Sequence, residues 1–222
     1  MYPNIKLLSL IRVSLVLTIP AWIVIADSIL LTEKQLQRLA VEYGEQARER
    51  LVSWQQLIHQ HRNSNVSVKL KAVNQFFNKL EFVDDQKMWG QVDYWATPVE
   101  FLGRGGGDCE DFSIAKYFTL RELNLPQEQL RLTYVKTREL RQAHMVVSYY
   151  KKPEAEPLIL DNLDKKIKAA RLRRDLIPAY SFNGDNLWKA KSLSGFGTLV
   201  GKTKNLDIWQ QLLKKIQRIR EY

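Results

Sequence analysis

Apolar residues recur at three- and four-residue spacing through the first third of the chain, then gather into short runs bounded by turn residues. In residues 31–61, Leu36, Leu39, Ala40, Tyr43, Ala47, Leu51, Trp54 and Leu57 share one helical face, which predicts one or two amphipathic helices. Thr32 with Gln35 three residues on reads as a capping box. Asn63, Ser64 and Asn65 form a polar break. Residues 66–82 predict a further helix through Leu70, Val73, Phe76, Phe77 and Leu80. Residues 84–104, rich in Trp and Gly, predict a loop with short helical turns. Gly105, Gly106 and Gly107 then lead into a helix over 108–123 that buries Phe112, Ala115, Phe118, Thr119 and Leu123.

Leu125 and Pro126 end that helix. Strand-like runs follow at 130–135, 144–150 and 158–161, the last two joined by a tight link at 153–157. The basic stretch 165–176 predicts a helix, 177–188 an irregular segment with a turn at Asn183, Gly184 and Asp185. Residues 205–222 show helical spacing at Leu206, Trp209, Leu212, Leu213 and Ile216. Helices come first and strands later, so the class is α+β. No internal repeat or low-complexity tract interrupts this order.

The chemistry gathers on the only cysteine. Cys109 follows the glycines and opens the predicted helix, where unpaired N–H groups and the helix dipole favour a thiolate. The same N–H groups suit an oxyanion, with Trp89, Gln91 and Trp95 as sources of a second donor. A nucleophile needs a base, and His144 opens a Val-rich run downstream. His59 and His61 lie on a polar helix end and read as solvated. Asp161 ends the next apolar run and would hold the imidazole tautomer, with Asn162 and Asp164 as lesser candidates. Cysteine on a helix, histidine on a strand and aspartate on the next strand is the order of a Cys-His-Asp acyl-transfer site.

Three acids surround the thiol: Asp108, Glu110 and Asp111. Their charge disfavours a thiolate, so something must offset it. The residues leave two readings open. Asp108 and Glu110 form a carboxylate pair of the kind calcium takes, or all three are helix N-terminal acids drawn there by the dipole.

The run from Trp95 to Leu102, then Gly107-Asp108-Cys109-Glu110-Asp111, resembles the bacterial transglutaminase-like cysteine proteinases of the LapG type. Ala143-His144-Met145-Val146, Leu160-Asp161-Asn162 and 180–184 extend the resemblance, which covers roughly residues 73–191. It implies a papain-like, transglutaminase-like fold with an N-terminal helical lobe and a C-terminal antiparallel β lobe, in one domain over 27–222. It also implies a calcium-dependent endopeptidase with Cys109, His144 and Asp161 as the catalytic set and Asp108 and Glu110 as metal ligands. The implied substrate is the N-terminal region of a large surface adhesin, whose release disperses a biofilm. The implied regulator is an inner-membrane cyclic-di-GMP receptor of the LapD type. Rival readings are a transglutaminase, a peptidoglycan peptidase and an inactive calcium-binding module.

Composition narrows the setting. One cysteine excludes an intramolecular disulfide framework. Residues 1–26 carry only Lys6 and Arg12 and then an apolar stretch, the layout of a secretory leader, with an uncleaved anchor as the alternative. Taken with the resemblance, such export implies the periplasm. The net charge of +10 becomes +8 without that leader. The basic run Lys165, Lys166, Lys168, Arg171, Arg173, Arg174 lacks interleaved aromatics and reads as a solvated helix face, not a nucleic-acid site.

Overall fold

The structure, a computed structural model, describes residues 29–139 and 142–221, with the backbone alone at 220 and 221. The leader expected over 1–26 lies outside the described residues. Among those residues no helix is long and apolar enough to cross a membrane.

Three helices form the first layer: α1 (Glu33–Tyr43), α2 (Glu45–His61) and α3 (Val66–Phe77). Thr32 and Gln35 close the expected capping box on α1. The choice between one and two helices is settled by Gly44, whose φ of 90° turns the chain between α1 and α2. Helix α3 ends at Phe77, five residues before the expected end, because Glu81–Phe82 is drawn out as strand β1. A short α4 (Asp85–Met88) and a capped α5 (Pro98–Arg104) are the helical turns expected within the loop over 84–104. Thr97 and Glu100 cap α5 reciprocally, with Pro98 at its first turn.

Strand β2 (Gly106–Gly107) pairs in parallel with β1 and fixes the turn that feeds α6 (Cys109–Glu122). A Cβ at Gly106 would sit 2.5 Å from the Glu81 carbonyl oxygen, so only glycine lets the two strands approach. Helix α6 is the central element. Trp54 of α2 is fully buried and donates its indole N–H to Thr119 at 2.8 Å. Ser113 donates to the Met145 carbonyl at 2.8 Å, fastening α6 to the sheet. Full burial of side chains such as Leu51, Trp54 and Phe77 stabilises this docking by about 1.5–3 kcal/mol each.

The sheet is antiparallel throughout: β3 (Leu130–Thr137), β4 (Ala143–Tyr149), β5 (Leu158–Leu160), β6 (Lys168–Ala169), β7 (Leu176–Phe182), β8 (Asn186–Lys189) and β9 (Thr198–Lys202). Their spatial order is β6-β5-β4-β3-β7-β8-β9. Alternate residues Leu130 and Leu132 of β3 and Met145 and Val147 of β4 join the core beneath α6. A last helix, α7 (Asp207–Glu221), buries Trp209, Leu212 and Ile216 against it.

Two expectations fail here. Residues 165–176 form β6 and a 3-10 turn instead of a helix, because strand pairing with β5 captures Lys168 and Ala169. Residues 177–188 are the ordered hairpin β7–β8, with the expected turn at 183–185.

Candidate active site

Cys109 is the first residue of α6, with Asp108 as N-cap accepting from the Glu110 and Asp111 backbone N–H groups at 3.1 and 3.4 Å. The thiol is nearly buried, at 8% exposure. The Met145 backbone N–H lies within hydrogen-bonding reach of the sulfur and favours the thiolate. Burial, then Glu110 and Asp108, push the thiol far above its ordinary range. The thiol donates to Glu110 Oε2 at 2.7 Å.

His144 precedes Met145 on β4, so the histidine expected from sequence is adjacent in the strand to the residue whose N–H favours the thiolate. The His144 Nε2 meets Asp161 Oδ1 at 2.8 Å, and both side chains are buried. Asp161 follows β5, whose register pairs Val147 with Leu160 and brings the acid beside the histidine. Burial alone would raise the Asp161 carboxyl. The His144 ring, the Arg173 guanidinium and the Leu163 N–H together hold it below the ordinary carboxylate range. Asp164 instead pairs with Lys168 at 2.6 Å, on the surface side.

Arg173 is the residue that the sequence reading placed wrongly. It is 3% exposed, not part of a solvated face, and its Nη2 donates to Asp161 Oδ2 at 2.7 Å and to Asp175 Oδ2 at 2.7 Å. Nothing in the surrounding lysines and arginines marks it out. Lys116 of α6 was also passed over. It is buried, its amine drawn down to about 7 by burial and partly sustained by Asp161.

Beside the nucleophile lies a cradle of carboxylates. One oxygen each of Asp85, Asp108 and Asp111 lie within 4.8 Å of one another, and the same holds for Asp108, the Cys109 sulfur and Glu110. Asp85 Oδ2 accepts from the Tyr94 N–H at 2.6 Å and Asp111 Oδ1 from the Ala96 N–H at 2.7 Å. Their other oxygens, Asp85 Oδ1 and Asp111 Oδ2, are buried without a hydrogen-bond partner. The Trp89 indole N–H, itself buried without a hydrogen-bond partner, lies near enough to Asp111 to favour its carboxylate. Burial, then mutual repulsion, raises Asp108 to about 9. Asp111 is raised to about 8, chiefly by burial. Unbonded, mutually repelling carboxylate oxygens fit a hard divalent cation. Asp108, one of the two carboxylates expected from sequence, lies with Asp111 and with Asp85, which is too far upstream to be seen by spacing; the other, Glu110, meets Asp108 on the sulfur side.

Of the residues offered as oxyanion donors, Gln91 is exposed, Trp89 stacks on Tyr94 at 4.5 Å and Trp95 is buried against Phe182 at 5.8 Å. Trp95, Tyr134 and Tyr180 form an aromatic wall on the thiol's flank, with Tyr134 and Tyr180 ring centres 4.8 Å apart. A cleft of about 870 Å³ lies elsewhere. It sits at the far end of α6, between Tyr117, Asn124 and Trp209, and is lined by neither Cys109, His144 and Asp161 nor the four carboxylates.

A thiol at the start of a helix, with that helix packed on an antiparallel sheet that carries a buried histidine–carboxylate pair, places the chain among the papain-like, transglutaminase-like folds. The chain belongs to the bacterial transglutaminase-like cysteine proteinases, whose profile matches residues 42–174. Among solved structures it is similar to Legionella pneumophila LapG, at 44% identity and a TM-score of 0.73, covering 84% of this chain and 98% of that one. It is equally similar to the calcium-bound form of LapG (44%, TM-score 0.72, 84% and 99%) and to the EGTA-treated form (45%, TM-score 0.73, 84% and 98%). No curated protein matches the chain.

Proposed function

We propose that this chain is a calcium-dependent cysteine endopeptidase in which Cys109, His144 and Asp161 form the catalytic set. The observation that carries the reading is the junction of α6 and β4. Ser113 of the helix that begins at Cys109 donates to the Met145 carbonyl, the Met145 N–H favours the thiolate, and the next residue back is a histidine tied to Asp161.

The tautomer follows from that tie. With Nε2–H donated to Asp161, Nδ1 carries the free lone pair and takes the thiol proton. The thiolate attacks a peptide carbonyl. The developing oxyanion is held by the Cys109 backbone N–H, which at the first position of α6 has no carbonyl one turn back in the helix. His144 returns the proton to the leaving amine, and a thioester forms on Cys109. Water, activated by the same Nδ1, releases the acyl product. Asp161 stays ionised throughout, held so by Arg173 and the Leu163 N–H.

Asp85, Asp108, Glu110 and Asp111 are the residues that would hold calcium. The cation would cancel their field on the thiol and engage the Glu110 carboxylate that now accepts the thiol hydrogen. The kinship with LapG, solved both with calcium and after EGTA treatment, supports this choice of metal.

The same kinship supports the finer reading. The protein would be exported to the periplasm by its leader and would cleave a large surface adhesin near its N-terminus, at a segment with paired alanines. A LapD-type cyclic-di-GMP receptor would sequester it. The test is cleavage of an adhesin N-terminal fragment by residues 27–222, with calcium and with excess chelator, read by intact mass. Two hydrolytic fragments that vanish with chelator are expected. Acyl transfer to an added amine in place of hydrolysis, or cleavage that survives chelation, would refute the reading.

A further inference from the structure

We propose that Arg173 is a positioning residue for the histidine base, acting through Asp161. The proposal rests on the reading of His144 as the base and extends it to a residue outside the catalytic set.

Four groups form a hydrogen-bonded chain: Asp175, Arg173, Asp161 and the His144 ring. Asp161 sits at its centre with each oxygen committed. Oδ1 accepts from His144 Nε2 at 2.8 Å and from the Leu163 N–H at 3.0 Å, and Oδ2 accepts from Arg173 Nη2 at 2.7 Å. The backbone carbonyl of Asp161 is itself held by Asn78 at 2.8 Å. The guanidinium is set from the other side by Asp175, through Nε at 3.0 Å and Nη2 at 2.7 Å. The two-nitrogen fork onto Asp175 fixes the guanidinium plane, and the single Nη2–H bond then pins Asp161 Oδ2 while His144 and Leu163 hold Oδ1. The plane of Asp161 in turn fixes the ring of His144 and aims Nδ1.

Stability alone is a poor account of this arrangement. A buried ion pair returns little over apolar packing once desolvation is counted. Arg173 carries a further cost, since its Nη1 is buried without a partner. Among the described residues, two other charged groups bear on the cluster. Lys116 approaches Asp161 from α6, and Asp164 lies within the field of Arg173. Neither makes a hydrogen bond to the carboxylate, so among the described residues Arg173 and His144 are the side chains that orient it.

The experiment compares R173Q with R173K in the full chain, by two readouts. In imidazole-tuned ¹H–¹⁵N NMR, the parent should show His144 as a single Nε2–H tautomer with an exchange-protected proton, apart from His59 and His61 at the outer end of α2. R173Q should shift His144 to mixed tautomers with the proton unprotected, while R173K keeps most of the parent pattern. In peptide hydrolysis, R173Q should lower kcat by about 10–100-fold at unchanged KM, with partial recovery in R173K. A folded R173Q with the parent spectrum and parent kcat would overturn the proposal. If R173Q does not fold, D175N replaces it, since that change loosens the guanidinium from one side only. Partial loss of His144 protection then supports the proposal, and an unchanged spectrum and kcat overturn it. The spectroscopic arm needs no substrate, so a chain that hydrolyses nothing would sink the protease reading without deciding this one.

Discussion

Removing calcium should make the stability of this protein fall as pH rises, the reverse of the usual behaviour of buried carboxylates paired with bases. The cause is the acid cradle. Asp111 titrates at an ordinary 3.8 in the unfolded chain but is raised to about 8 in the metal-free fold. A group whose folded value is raised contributes its stability below the unfolded value and loses it as pH climbs toward the folded one. The window is therefore about pH 4–8. At pH 7 the gap is about 3 pH units, and at about 1.36 kcal/mol per unit the cost is at most about 4 kcal/mol. Coupling to Asp108, which shares the same repulsion, reduces the part assignable to Asp111 to about 2 kcal/mol. For a chain of this size that is about 4–8 °C in Tm. Thermal melts in EGTA at pH 5 and pH 7.5 should show this drop, and D111N should flatten it. Calcium should restore Tm at pH 7.5, by about 2.7 kcal/mol at a hundredfold excess over Kd. An EGTA melt that does not change with pH, or a Tm at pH 7.5 indifferent to calcium, would refute the reasoning.

Three further outcomes follow from the site. C109A should abolish peptide hydrolysis while leaving Tm within a few degrees, since a small apolar group replaces a small thiol; loss of fold by circular dichroism would make the cysteine structural. D161N should lower kcat by about 10³-fold or more, because the amide no longer fixes the Nε2–H tautomer. It should also remove an acid-side loss of stability, since the folded Asp161 titrates below its unfolded value and its contribution disappears only as pH falls below about 4; kinetics and acid titration check the two halves separately. G107A should weaken calcium binding by calorimetry and lower Tm by the equivalent of about 1–3 kcal/mol, because its Cβ would sit 2.9 Å from that of Asp111 and drive the carboxylate out of the cradle.

Much of this architecture is legible in the sequence where a local signal coincides with a tertiary one. The α6 start shows in the glycines and in Asp108, whose side chain caps the helix as its type predicts. His144 and Asp161 are visible because apolar runs deliver them to neighbouring strands. The failures share one cause, which is long-range pairing. Glu81 and Phe82 sit in a helical pattern but are claimed by Gly106 and Gly107. Residues 165–176 have helix-like composition but are claimed by β5. Arg173 carries no local mark, since only the fold brings Asp161 within reach of one arginine among many. Asp85 stands 23 residues before Asp108, and its part in the cradle comes from how α4 packs.

Each of Asp85 and Asp111 spends one oxygen on a backbone N–H of the 93–96 segment and leaves the other to the cradle. The wall that carries Trp95 and the metal site are thus mechanically one part. Any demand on the shape of that wall and any demand on ion capture fall on the same two side chains. A change at either position would be masked wherever calcium is plentiful and laid bare where it is scarce. The calcium level around the protein would then act as a filter on which sequence variants of the wall survive.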